Sequence, residues 1–380
     1  MHTNPLAVAR YFQRLRDPRR THGKRHLLID LIVIALCAVI AGANDWQQVV
    51  TFAHKRRDWL ATFLALPGGI PSHDTFERVF ERLDPQAFQA CFSQWIAALA
   101  DTLGLKHIAI DGKTLRGSGN EPKNWGPLHL VSAWATECHL SLGQVAVADK
   151  SNEITAIPQL LSLLDVRGAL VTIDAMGCQK EIAANIIAAG GDYLLAVKDN
   201  QPNLLADIQS CLVAAMDGGP GASRCQTHTT AECGHGRQEL RSCVIVTDPE
   251  EIRNQEAWAG LKVVGLCRSE RTVAGKTSEE VRFFIGSRKM SAKAYLTGLR
   301  GHWGIENNLH WQLDITFAED DNRVQQRRCA ENLALLRRLA LTLLKQHPGK
   351  QSMACKRLAA ALDPQFLEEI LCAGSKMETR

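Results

Sequence analysis

Ile108-Ala109-Ile110-Asp111-Gly112 and Leu170-Val171-Thr172-Ile173-Asp174-Ala175 carry one design twice, a short run of aliphatic and β-branched residues closed by an aspartate. Runs of this kind suit strands buried on both faces. Working outward, further strand-like runs occupy residues 128–135, 140–148 and 193–197, and helical patterns lie at 153–164 and 179–189.

Three strands in close succession, then helix–strand–helix–strand, is the order of an α/β fold built on an RNase H-like mixed sheet. It differs from the strict alternation of a doubly wound dinucleotide fold. After a helix at 202–216, Asp217-Gly218-Gly219-Pro220-Gly221 breaks the pattern. Strand-like pieces follow at 239–246, 261–267 and 281–285, and helical character returns from about residue 291. Ahead of the sheet, residues 1–104 read as helices: one near 27–43, one near 45–64, one opening at Pro71-Ser72-His73-Asp74 with Ser72 as N-cap, and one after Asp84-Pro85. The expected organisation is a helical, DNA-binding-like module over 1–104 and the first part of a catalytic core over 105–216. A β-rich insertion over 217–290 and C-terminal helices over 291–380 complete it.

The chain has 380 residues, 46% hydrophobic and 22% charged, which excludes a disordered or fibrous protein. Its net charge of only +4 means that a nucleic-acid partner must be met by local clusters of cations. The 12 cysteines include no Cys-x-x-Cys pair, and the start of the chain has no signal-like apolar stretch, so free thiols in the cytoplasm are expected. Residues 27–43 mimic a membrane span behind basic flanks, but at 17 residues with Asp30 inside they read as a buried helix, and no membrane partner is expected.

The two strand-ending aspartates invite a chemical reading. A carboxylate at the rim of a buried strand is costly to desolvate, and two that converge repel each other unless a divalent cation lies between them. Magnesium suits such a pair, and two ions can serve both the attacking and the leaving oxygen of a phosphoryl transfer. The alternative is structural, with Asp111 starting an Asp-Gly turn and Asp174 capping the next helix. A further acid is offered by His302-Trp303-Gly304-Ile305-Glu306-Asn307-Asn308-Leu309-His310, where His302, Glu306 and His310 recur every four residues on one helix face. That stripe reads as a zinc site, as the acidic arm of a magnesium site, or as structure alone.

Other motifs fail. Gly112-Lys113-Thr114 and Gly275-Lys276-Thr277 end like phosphate-binding loops, yet His107 and Glu270 stand where the first glycine belongs. Cys225, His228, Cys233 and His235 cluster without a common zinc spacing, and incidental loop residues are the default reading.

Taken together, Gly23-Lys24-Arg25-His26, Gly69-Ile70-Pro71-Ser72-His73-Asp74-Thr75-Phe76 and Ala109-Ile110-Asp111-Gly112-Lys113-Thr114-Leu115-Arg116-Gly117-Ser118 form the first half of a longer pattern. Ile173-Asp174-Ala175-Met176-Gly177-Cys178-Gln179, Val197-Lys198-Asp199-Asn200-Gln201, Gly234-His235-Gly236-Arg237 and His302-Trp303-Gly304-Ile305-Glu306-Asn307 complete it. In this order the chain resembles the H-repeat-associated family of bacterial insertion-sequence transposases, a branch of the DDE transposases.

The resemblance implies an RNase H-like core with the acid triad Asp111, Asp174 and Glu306 holding two magnesium or manganese ions. Cleavage of the element's ends and transfer of the 3′-hydroxyl into target DNA would follow. It implies DNA as partner, a homodimer on DNA, and a nucleoid-associated place in the cytoplasm. A domesticated or inactive DNA-binding relative, or a nuclease without strand transfer, is the alternative. Lys113, Arg116 and Lys198 are the candidate phosphate contacts near the metals, with Arg300, His302 and Trp303 beside the glutamate. Each of these cations is equally readable as solvated, and the indole as packed. The related Tyr-x2-Arg-x3-Glu-x6-Lys signature is not met, because Leu299, His302 and Leu313 occupy its flanking positions, with Tyr295 and Arg300 nearby. The arginines at 323, 327, 328, 337 and 338 are candidates for tracking a DNA backbone, or for solvating a helix face.

Overall fold

The structure is a computed structural model and describes residues 8–20, 24–119, 125–148, 152–234 and 236–373. Its elements fall into two compact units, one made of Met1–Gly104, Gly112–Ala148 and Glu306–Arg380, the other of Leu105–Asp111 and Asp149–Ile305.

The first unit opens with helices α1 (Leu28–Ile40), α2 (Trp46–Lys55), α3 (Arg57–Leu60), α4 (His73–Arg82) and α5 (Pro85–Leu103). α1 is apolar on every side and buried on nearly every side, the signature of a core helix rather than an amphipathic one. Asp30 is buried within it because its carboxylate accepts a hydrogen bond from Leu66 N at 3.0 Å. Among the described residues, no helix is long and apolar enough to cross a membrane. The stretch expected as one helix over 45–64 is two, parted at Arg56. α2 starts where Asp45 accepts from Gln48 N at 2.7 Å, and α5 starts at a proline behind the capping Asp84. Ser72 holds the N-cap position of α4, but its hydroxyl bonds Thr75 Oγ1 at 3.0 Å instead of a backbone N–H.

The same unit contains the end of β1 (His107–Leu115), β2 (Leu128–Ala135) and β3 (Leu140–Ala146), with β2 and β3 antiparallel. A turn of π-helix (Glu306–His310) leads into α10 (Trp311–Ile315), α11 (Arg327–Gln346), α12 (Met353–Leu362) and α13 (Pro364–Ala373). α11 is the axis of this unit, packed against α1, α4, α5 and β3. Its Asn332 amide donates to Phe80 O at 2.8 Å and Leu83 O at 3.0 Å, fixing the end of α4.

Arg337 and Arg338 correct an expectation. Both are buried on α11, facing Glu319, which is itself buried. Arg338 Nη1 lies 3.2 Å from Glu319 Oε1, and Arg337 Nη2 donates to Asn44 O at 3.2 Å. They cannot line a DNA backbone, whereas Arg323 and Arg328 are exposed.

In the second unit, strand order runs from the start of β1 through β4 (Leu170–Ile173), β5 (Asp192–Val197), β9 (Lys276–Gly286), β8 (Val263–Val273) and β7 (Arg237–Thr247) to β6 (Cys225–Gly234). β1, β4 and β5 are parallel, and the rest is an antiparallel meander joined through β9 to β5. The strands of the expected insertion therefore extend the sheet. Helices α6 (Glu153–Ser162), α7 (Lys180–Ala188), α8 (Pro202–Met216) and α9 (Ala292–Ile305) cover this sheet. A Cβ at Gly298 would come within 3.1 Å of Leu194 and 3.3 Å of Leu170, so a glycine there lets α9 lie close on β4 and β5.

Candidate active site

Asp111 and Asp174 each follow a paired residue of two neighbouring strands. β1 and β4 pair in parallel with Ile110 opposite Ile173, and each aspartate is the next residue along its strand. The two strands then part company. β4 ends at Ile173, as expected, but β1 runs on through Gly112 to Leu115, so Asp111 does not open an Asp-Gly turn. Asp174 does not cap the following helix either. Its Oδ1 accepts from Met176 N at 3.1 Å and Gly177 N at 3.3 Å, whereas α7 begins at Lys180 behind Gln179.

Burial pushes the Asp174 carboxyl above its ordinary pKa, and the Glu153 charge adds to the push, against the Gly177 and Met176 amides and the Lys198 charge. The loop after β4 is braced by the turn that follows β5: the Asn200 side chain donates to Ala175 O at 2.7 Å and Gln201 to Cys178 O at 2.9 Å. These two residues lie in a quoted sequence motif, but no local pattern reveals that they hold the Asp174 loop.

Beneath Asp174, and on the same side of the strand two residues earlier, Thr172 is bracketed by two imidazoles. His107 Nε2 is 2.9 Å and His302 Nδ1 3.1 Å from its hydroxyl. Burial, with some help from His302, pulls the His107 pKa down to about 4, so the ring is neutral near pH 7. His302 belongs to α9, and Glu306 follows Ile305 as the first residue of the π turn, four residues on from His302. Single π turns inside α-helices recur at functional positions. Within that turn the exposed Glu306 faces the buried His310, with Oε2 3.7 Å from Nδ1. His302 is thus turned to β4 and His310 to Glu306, so the three do not present one zinc-binding stripe.

The candidate phosphate contacts divide. Arg116 and Lys198 are exposed; Arg116 Nε stands 3.5 Å from Asp320. Lys113 is inside β1 rather than beyond its end. It is 8% exposed, with its ammonium against Asp314 and 3.4 Å from Asp320. Arg300 is exposed and paired with Glu232 at 2.6 and 3.1 Å. Trp303 carries the Arg282 guanidinium 4.6 Å above its ring. Tyr295 is wholly buried, stacked on Phe284 and donating to Arg288 O at 2.6 Å, which makes it a packing residue.

The cysteine–histidine cluster dissolves. Cys225, His228 and Cys233 lie along the single strand β6, and at about 3.3 Å per residue its ends are far too distant to share an ion. His235 lies outside the described residues, as does Gly23 of the first motif. None of the 12 cysteines is in a disulfide.

A family model described as Transposase DDE domain matches residues 102–343, and a second, described as associated with it, matches residues 9–96. The chain belongs to the DDE transposase family. Within it, the chain is 39% identical to YncI of Escherichia coli O157:H7, named as a transposase candidate, over 97% of this chain and 95% of that one. It is 36% identical to YhhI of Escherichia coli K12, named as an H repeat-associated transposase candidate, over 94% and 96%. A shorter K12 relative, YbfQ, named an inactive transposase, is 39% identical over 17% of this chain and 75% of its own length. A solved piggyBac transposase synaptic complex with hairpin DNA is similar at a TM-score of 0.43 and 11% identity, covering 100% of this chain and 82% of that chain. The family implies use of a divalent metal.

Proposed function

We propose that this chain is an insertion-sequence transposase with an RNase H-like core, in which Asp111, Asp174 and Glu306 hold divalent metal, Mg²⁺ or Mn²⁺, as two ions. The single observation that supports the reading is the parallel register that pairs Ile110 with Ile173, the residues just before Asp111 and Asp174. Carboxylates that follow neighbouring strands, one of them pushed toward its neutral form by burial, are donors that suit a hard divalent cation. The Thr172–His302 hydrogen bond supports Glu306 as third ligand: Asp174 is two residues beyond Thr172 on its strand, and Glu306 four beyond His302 on its helix.

When bound, the metal supplies charge neutralisation for the attacking and leaving oxygens of a phosphodiester. The chain's own part is positioning. The Asn200 and Gln201 amides fix the loop that carries Asp174, and the His107–Thr172–His302 bridge fixes α9. In the first step a water oxygen bonds to phosphorus at the element's end, its proton passes to solvent, and the 3′-oxygen leaves as a hydroxyl. In the second, that 3′-hydroxyl attacks a target phosphodiester and displaces a target 3′-oxygen, so one ester is exchanged for another. Arg116 and Lys198, both exposed, are the proposed phosphate contacts, with Arg300, His302 and Trp303 around the glutamate. Two DNA ends call for two copies of the chain on DNA.

The test is cleavage and joining by the wild type and by Asp111→Asn, Asp174→Asn and Glu306→Gln, on a plasmid carrying the gene with its flanking DNA. Each variant is expected to lose both by about a hundredfold or more, and retention of either by all three would end the reading. The relative named as inactive makes a binding-only protein the second reading, and the wild-type chain would then bind ends and cut nothing.

A further inference from the structure

We infer that the N-terminal helical segment carries a built phosphate-binding cleft that grips the backbone of duplex DNA, remote in sequence from the acidic residues. The cleft, about 640 Å³, is lined by Arg19, Arg20, Lys24, Arg25 and His26 on one side and helix α4 on the other. Arg19, Arg20, Lys24 and Arg25 line one wall, Arg78 and Arg82 the other, and no acidic residue among the described residues lines it. Asp17 lies 2.8 Å from Arg19 and 3.4 Å from Lys24, which orders those side chains and cancels part of their charge. Asp74 reaches Arg78 only at 3.8 Å and is itself exposed. No carboxylate of a described residue is within ion-pair distance of Arg20, Arg25 or Arg82.

Six cations gathered on two facing walls repel one another, an arrangement that gains stability when a polyanion enters. Two further features make the cleft a site instead of a chance patch. Gly68 forms part of its lining at a place where a Cβ would meet Arg25 O at 2.5 Å, so the loop before α4 packs directly on the basic wall. The N-terminus of α4, a ten-residue helix, opens on the cleft through Ser72 and Thr75, and Ser72 leaves the helix's first N–H groups uncapped. Uncapped helical N–H groups and guanidinium forks are the donors that phosphate oxygens take. Sequence-independent backbone contact is the expected mode, because the lining offers charge and few base-reading amides.

The inference rests on the reading of the chain as a DNA-processing protein, but it concerns binding without metal and can fail separately. The experiment measures the affinity of the full chain for a 30-base-pair duplex in EDTA across a series of salt concentrations. Each neutralised phosphate contributes close to one to the slope of log K against log salt. Arg20→Ala with Arg25→Ala, and separately Arg78→Ala with Arg82→Ala, are each expected to flatten the slope by about two and weaken binding at least tenfold. A control pair, Arg167→Ala with Lys350→Ala, removes the same charge elsewhere and is expected to leave the slope unchanged.

As a check that needs no variant, duplex is expected to protect Arg20, Arg25, Arg78 and Arg82 of the wild type from phenylglyoxal. A wild-type slope retained in both cleft pairs, an equal loss in the control, or no protection would overturn the inference. Loss of cleavage by Asp111→Asn and loss of metal-free binding by the cleft variants therefore report on different claims.

Discussion

His302 Nδ1 lies 3.1 Å from Thr172 Oγ1, and through that contact helix α9 is tied to strand β4 two residues before Asp174. The bond is local in geometry and distant in sequence, and it joins the two elements whose next residues include proposed metal ligands. A helix held this way cannot slide along the sheet without breaking a partly buried hydrogen bond and stranding the neutral His107 on the other side of Thr172.

His302→Ala is therefore expected to lower DNA cleavage more than it lowers stability. The loss of one hydrogen bond costs about 1–2 kcal/mol, measurable by denaturant unfolding, while a misplaced Glu306 reduces the rate by a larger factor. His302→Gln, whose amide can still reach the Thr172 hydroxyl, is expected to recover part of the activity. Equal effects of the two substitutions on rate would mean that the imidazole does something other than position the helix.

Asp174 gives a linkage prediction with a definite sign. Its folded-state pKa is raised, so the folded chain holds the proton more tightly than the unfolded chain, and ionising the carboxyl costs stability as pH rises above the ordinary aspartate value. Asp174→Asn removes that cost. In EDTA near pH 7 the variant is expected to melt above the wild type, and the difference is expected to shrink as pH falls toward 4. Added Mg²⁺ is expected to raise the wild-type melting temperature and to leave the variant nearly unmoved. A variant that melts lower in EDTA would show that the carboxylate is stabilising as it stands.

The buried charges of α11 separate structure from DNA contact. Glu319 faces Arg338 at 3.2 Å, and both side chains are inaccessible to solvent. Glu319→Gln leaves Arg337 and Arg338 buried without their counterion, a change that costs about 3–5 kcal/mol, and Arg338→Ala leaves Glu319 with Arg337 alone, at 4.0 Å. Both variants are expected to unfold at lower denaturant concentration. Salt-dependent duplex binding by the folded fraction is expected to be unchanged, whereas Arg323 and Arg328 are exposed and can act only on binding.

Much of this was legible in the sequence where burial is continuous. The runs ending at Asp111 and Asp174 are apolar because β1 and β4 are covered on both faces, and such runs announce themselves. β6 was invisible for the opposite reason. Its Cys-Gln-Thr-His-Thr-Thr start carries no apolar alternation, and most of the strand is exposed, so its hydrogen bonds to β7 are the main thing that makes it a strand. Lys113 misled because Asp-Gly-Lys looks like the start of a turn, while the strand runs through it toward Asp314 and Asp320, some two hundred residues away. Arg337 and Arg338 misled in the same way. A charge on a helix reads as solvated until the acid that pays for its burial is found, and Glu319 lies outside the helix. Asp30 differs only in that its partner is a backbone amide, Leu66 N. Local pattern reveals which segments are buried, but long-range partners decide which charges are.

The central claim is that three acids far apart along the chain share divalent metal, and iron-directed backbone cleavage tests it most directly. Fe²⁺ would be loaded in place of Mg²⁺ and activated with ascorbate and peroxide, so that the chain is cut beside the bound ion. Cuts near residues 111, 174 and 306 together, all suppressed by excess Mg²⁺ and all lost in Asp174→Asn, are the predicted result. Cuts near 111 and 174 without one near 306, or cuts that Mg²⁺ does not suppress, would contradict it.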